Sequence, residues 1–62
     1  MIIYATVIVS GRVVDWTHSC LSVRNISNET IGLVVRKAVD KARKQDYHMM
    51  DPNIWVRVEF KE

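Results

Sequence analysis

Two histidines, one cysteine and a scatter of carboxylates are the side chains in this sequence that could do chemistry. His18 and Cys20 stand two positions apart, so a regular strand would point both to one side. Two ligands do not make a zinc site, which needs three or four, and metal-ligand spacing is absent elsewhere. Cys20 reads instead as a small buried hydrophobe, and as the only cysteine it leaves no intrachain disulfide. Asp46, His48 and Asp51 share one polar stretch, but at no recognised ligand spacing. There is no nucleophile elbow, no phosphate-cradling glycine loop and no carboxylate pair that the layout brings together. A ribonuclease-like use of His18 or His48 would need partner groups that nothing in the spacing selects. The chain therefore reads as non-enzymatic, with no metal, no cofactor and no evident small-molecule substrate.

The one concentrated charge lies between residues 36 and 44. Arg36, Lys37, Lys41, Arg43 and Lys44 are relieved only by Asp40, a net +4 against +2 for the whole chain, which leaves −2 elsewhere. A polarised molecule of this kind has one basic surface on which nucleic-acid phosphates could sit. The same cations also complement the negative end of a helix dipole and solvate an outward face, which explains them without a ligand.

These residues sit on the element around which the chain is organised, the stretch from Ser27 to Gln45. Ser27 is a good N-cap, Glu29 adds a negative charge to the first turn, and Ile26 and Ile31 occupy the positions of a hydrophobic staple. Ile31, Val34, Val35, Ala38 and Ala42 then recur at three- and four-residue steps, giving one apolar stripe. Gly32, Val34, Val35 and Val39 are weak helix formers, so the helix should depend on packing.

Strands flank it. Ile2 to Val9 is rich in β-branched and aromatic residues, and Ser10-Gly11 suits a two-residue hairpin turn into a second strand from Arg12. A regular register from that turn sets Ile3, Ala5, Val7, Val9, Val14, Trp16 and Cys20 on the core face. The opposite face then carries Ile2, Tyr4, Thr6, Ile8, Val13, Asp15 and Thr17. Residues 16–20 are too polar for a regular buried strand, so a bulge or bend is expected before Leu21 to Arg24 extend again. After a loop ending in Asp51-Pro52-Asn53, Ile54 to Lys61 alternates cleanly, with Ile54, Val56, Val58 and Phe60 facing the core.

Residues 1–62 thus predict one small α+β domain, β-β-α-β. Its sheet is three-stranded and of antiparallel type, in the order 2-1-3, with one helix packed on one face. The first strand is central, which accounts for its being apolar on both sides. Met1–Val9 has no basic leader and no small-residue cleavage site, and is too short to span a bilayer, so a cytoplasmic, soluble protein with no membrane contact is expected. A core from 62 residues rarely supplies more than about 3–5 kcal/mol. With no disulfide or metal to help, a protein partner or self-association is the remaining reinforcement.

The uncovered sheet face is where such contact is expected. It would carry Tyr4, Ile8, Val13, Trp55 and Arg57, an apolar patch holding the residue types most often found as binding hot spots. Unpaired strand edges offer a second route, either to another protein or to a second copy as a homodimer. In size and element order the chain resembles the very small proteins that bacteriophages make to bind and inhibit host enzymes. That resemblance implies an inhibitor or regulator. The alternative is nucleic-acid binding through Arg36, Lys37, Lys41, Arg43 and Lys44. Tyr4 and Trp55 could stack on bases only if both surfaces reached the same ligand.

Overall fold

The computed structural model of the protein describes residues 1–45, 47 and 51–62. The chain begins with strand β1 (Ile2–Val9), which turns back at Ser10-Gly11. Both turn residues have positive φ, +49° at Ser10 and +80° at Gly11, the mark of the primed turns that suit the right-handed twist of a hairpin. The turn leads into the short strand β2 (Arg12–Val13), a 3₁₀ turn over Asp15–Thr17 and strand β3 (Ser19–Ser22). The helix α1 (Asn28–Arg43) and the strand β4 (Ile54–Lys61) complete the fold.

β1 is the central strand. β4 runs antiparallel along its whole length, while β2 and β3 share its other edge, both antiparallel. The predicted 2-1-3 order is present, with β2 and β3 together taking the place of the second strand. The sheet is open, and α1 covers one face of it. On that face Ile3, Ala5 and Val7 are fully buried against Val34, Ala38 and Ala42 of the helix. Each of these six side chains is small or β-branched, which lets the helix approach the sheet closely.

The helix starts where predicted. The Thr30 amide donates to Ser27 Oγ (3.2 Å) and the Ser27 amide donates to Thr30 Oγ1 (2.9 Å), a reciprocal capping box with Thr30 in the place usually held by Glu or Gln. At the other end of the sheet, the Asn53 amide donates to Asp51 Oδ1 (2.8 Å), the local side-chain turn expected of that sequence.

The main departure from the predicted layout lies between β2 and β3. The register begins as expected, with Val9 opposite Arg12 and Ile8 opposite Val13. It then resumes with Ala5 opposite Ser19 and Ile3 opposite Leu21. While β1 advances three positions, its partner advances six, so three residues are extra. An odd insertion inverts the facing of everything after it. Ser19 and Leu21 therefore point to the helix side, where Cys20 and Trp16 had been placed. Cys20 is exposed on the opposite face, across from Tyr4. Trp16 is 49% exposed and stacks on Tyr47, with ring centroids 6.0 Å apart. Thr17, expected on the open face, is instead fully buried.

Thr17 is what makes the interruption tolerable. Where the 3₁₀ turn leaves the sheet, the Val14 amide still donates to the Val7 carbonyl (2.9 Å), but the Val7 amide has lost a strand partner. The Thr17 hydroxyl takes that amide (2.9 Å) and donates onward to the Val14 carbonyl (2.6 Å). A side chain thus fills one rung of the ladder, and no buried side-chain polar atom among the described residues is left without a partner.

Thr17→Val keeps the shape and removes the acceptor, orphaning the buried Val7 amide. A loss of about 1–3 kcal/mol of unfolding free energy is expected in urea titration, with Thr17→Ser losing clearly less.

Candidate protein-binding face

The face of the sheet opposite α1 is built from alternate residues of all four strands. The pairing sets Ile8 directly between Val13 of β2 and Trp55 of β4, so these three form one continuous row across the sheet. One step along β1, Thr6 lies opposite Arg57; another step on, Tyr4 lies between Cys20 and Glu59. The predicted set Tyr4, Ile8, Val13, Trp55 and Arg57 is therefore brought onto one face.

Its members are not equivalent. Trp55 is 51% exposed and Val13 42%, whereas Ile8 between them is only 4% exposed. Ile8 was expected to be part of the accessible patch; its two neighbours close over it, and it is the floor of the row. Tyr4 is half-buried, stacked against the His18 ring with centroids 5.3 Å apart. Arg57 Nε lies 2.8 Å from Glu59 Oε1, two residues along the same strand, so its charge is partly answered within the chain. Both of those side chains are about half exposed, and such a pair adds little to stability.

His18, like Cys20, lies on this face, although a regular strand would have turned both toward the core. Its Nδ1 shares a 2.9 Å hydrogen bond with the hydroxyl of Thr6, which is buried beneath it. The ring thereby covers the middle of the face, while the His18 carbonyl accepts from Lys41 Nζ (2.8 Å). One short segment thus ties the open face to the helix. The signal for it was the alternation Ser19, Leu21, Val23 against Cys20, Ser22, Arg24, which fits only the shifted parity.

The basic residues lie elsewhere. Arg36, Lys37, Lys41, Arg43 and Lys44 are all exposed, on or just beyond a helix that packs against the other side of the sheet. Tyr4 and Trp55 therefore face away from a phosphate contact made there. Among the described residues no group of three or more His, Cys, Asp or Glu is placed to hold a metal ion. Asp46 and His48 lie outside the described residues. No helix among those described is long and apolar enough to cross a membrane. No protein-family model, curated protein or solved structure matches the chain.

The geometry separates packing from presentation. Ile8→Ala should cost about 2–5 kcal/mol in urea unfolding, because it empties a closed site. Trp55→Ala, on the same row, should cost less, about 1–3 kcal/mol, because half its ring already faces water.

Proposed function

We propose that this chain is a small, non-enzymatic module that binds another protein through the face centred on Trp55. The observation that carries the reading is the Val13–Ile8–Trp55 row. A large aromatic ring is held on a regular strand with half its surface open, and a second exposed apolar residue, Val13, stands at the other end of the row. A strand holds the ring in place before any partner arrives, so little ordering entropy remains to be lost on binding. Trp, Tyr and Arg are the types most often found to dominate interface energetics. The partner that fits is a folded protein with an apolar pocket for the indole and polar groups at its rim for Arg57 and Glu59. The small phage proteins that inhibit or regulate a host enzyme are the nearest functional pattern, acting in the cytoplasm, where a lone thiol such as Cys20 stays reduced.

The rival reading is nucleic-acid binding through Arg36, Lys37, Lys41, Arg43 and Lys44. Its support is that all five are exposed within one stretch of the chain. The two readings use opposite sides of the sheet and respond to different substitutions, provided that Lys41, which holds the His18 carbonyl, is left unchanged.

Affinity capture from lysate, with and without nuclease, separates them when run in parallel on wild type, Trp55→Ala and the double reversal Lys37→Glu/Lys44→Glu. A single protein that survives nuclease, ignores the charge reversal and binds about thirtyfold more weakly to Trp55→Ala supports the proposal. Retention of that protein by Trp55→Ala at unchanged affinity contradicts it. Capture of nucleic acid that is lost with Lys37→Glu/Lys44→Glu and falls steeply with salt would replace it with the rival.

A further inference from the structure

Among the described residues β1 has both edges occupied and β4 only one. The backbone bonds reveal which of its groups are left over. The Ser10 amide donates to the Asn53 carbonyl (2.7 Å), at the point where β1 and β4 begin to pair. Met1 and Val7, by contrast, use their carbonyls on the opposite side, accepting from Val23 and Val14 (2.9 Å each). Even-numbered residues of β1 therefore bond to β4 and odd-numbered ones to β2 and β3. In an antiparallel ladder this turns the backbone of Trp55, Arg57, Glu59 and Lys61 toward β1. Val56, Val58 and Phe60 then present their amides and carbonyls to the free edge. Ile54 does so only in part, since its amide already donates to the Asp51 carbonyl (3.0 Å).

Among the described residues no strand pairs with this edge, and Arg57, Glu59 and Lys61 set charges along it. It runs for eight residues with no proline, glycine or bulge to blunt it. Nor does the helix close over it, because α1 packs chiefly on β1 and β3. Val56 and Val58 are left half-buried, and Phe60, predicted as a core residue, is 51% exposed.

We propose that this edge pairs antiparallel with β4 of a second copy of the chain, about a two-fold axis at Val58. The ladder admits only registers that match even-numbered residues with even-numbered ones; side-chain charge disfavours the axes at Arg57 and Glu59, and the axes at Val56 and Phe60 pair a shorter length of the strand. With Val58 on the axis, Arg57 faces the partner's Glu59, Trp55 faces the partner's Lys61, and Val56 faces the partner's Phe60. Each is a favourable cross-strand pair, and symmetry makes each occur twice. Moving the axis to Arg57 sets the two Arg57 side chains against each other. Moving it to Glu59 opposes the two Glu59 carboxylates and sets Arg57 against the partner's Lys61. The segment Trp55–Lys61 is thus complementary to its own reverse, which a general-purpose edge has no reason to be. Val56, Val58 and Phe60 of both copies would lie together on the helix side, covering the exposed Phe60. The sheet would continue across the two copies with both Trp55 faces open on the same side. The inference concerns the purified chain alone and stands whether or not that face binds another protein.

Sedimentation of the purified chain over a range of concentrations tests it. The expected result is a reversible species of twice 7.2 kDa. Arg57→Glu and Glu59→Arg should each weaken association roughly tenfold to a hundredfold by placing like charges opposite one another. An equimolar mixture of the two variants should recover association, because the reversals then face each other across the axis. Each variant keeps like charges at 57 and 59 within its own chain, so recovery reports the pairing between chains. The double variant R57E/E59R, which restores opposite charges both along the strand and across the axis, should associate like wild type. A wild-type chain that stays monomeric, a dimer unchanged by either reversal, or a mixture that does not recover would each overturn the proposal.

Discussion

The Val7 amide bonded to the Thr17 hydroxyl is a single 2.9 Å contact, and the arrangement of the sheet depends on it. β1 is the one strand that all the others use, so any break in pairing along its edge would leave a buried donor exposed to nothing. At that break the partner strand leaves for a 3₁₀ turn, and Thr17 returns a hydroxyl to the vacated position. The interruption can then be three residues long without an unpaired amide beneath the helix. Because three is odd, the strand that re-enters does so with its faces exchanged. Ser19, small and buried, comes under the helix and bonds the Thr17 carbonyl (3.1 Å), while His18 and Cys20 go to the open side.

Two surfaces follow from this arrangement, and they have different character. The helix side holds the core and, outside it, the exposed cations near the C-terminal end of α1, where the dipole favours them. The open side is a sheet face whose buried centre, Thr6 and Ile8, is roofed by His18, Val13 and Trp55. It is neither a bare apolar patch nor a solvated polar face. Its middle is closed by its own side chains, and its edge row keeps one large aromatic ring in the open. That is the arrangement expected of a preformed contact surface, and the free edge of β4 adjoins it.

Much of this was legible in the sequence because local signals agreed with one another. Ser27, Glu29 and the stripe from Ile31 to Ala42 all marked the same helix, which runs Asn28–Arg43. Ser10-Gly11 marked the hairpin, and the alternation over Ile54–Lys61 marked β4 to the residue. The faces of β1 and β4 followed from that alternation. The course of residues 15–19 did not, because the polar run announces a break without giving its length, and whether that length is odd or even decides every later facing. Trp16 and Cys20 were misplaced for that reason alone. Phe60 was misjudged for a different one: alternation reports which side of the sheet a residue faces, but not how far the helix reaches across it. The exposed set on the open face was identified as a group, whereas the burial of Ile8 within it depends on the neighbours on both flanks.

Residue-resolved amide hydrogen exchange, at concentrations low enough to keep the chain monomeric, tests the underlying arrangement most directly. The expected pattern is slow exchange at Val7, comparable with Ile3 and Ala5, together with slow exchange at Trp55, Arg57 and Glu59 and fast exchange at Val56, Val58 and Phe60. The reverse alternation along β4 would move Trp55 to the helix side, and fast exchange at Val7 would remove the Thr17 bridge. Either result would contradict both the open face and the free edge described here.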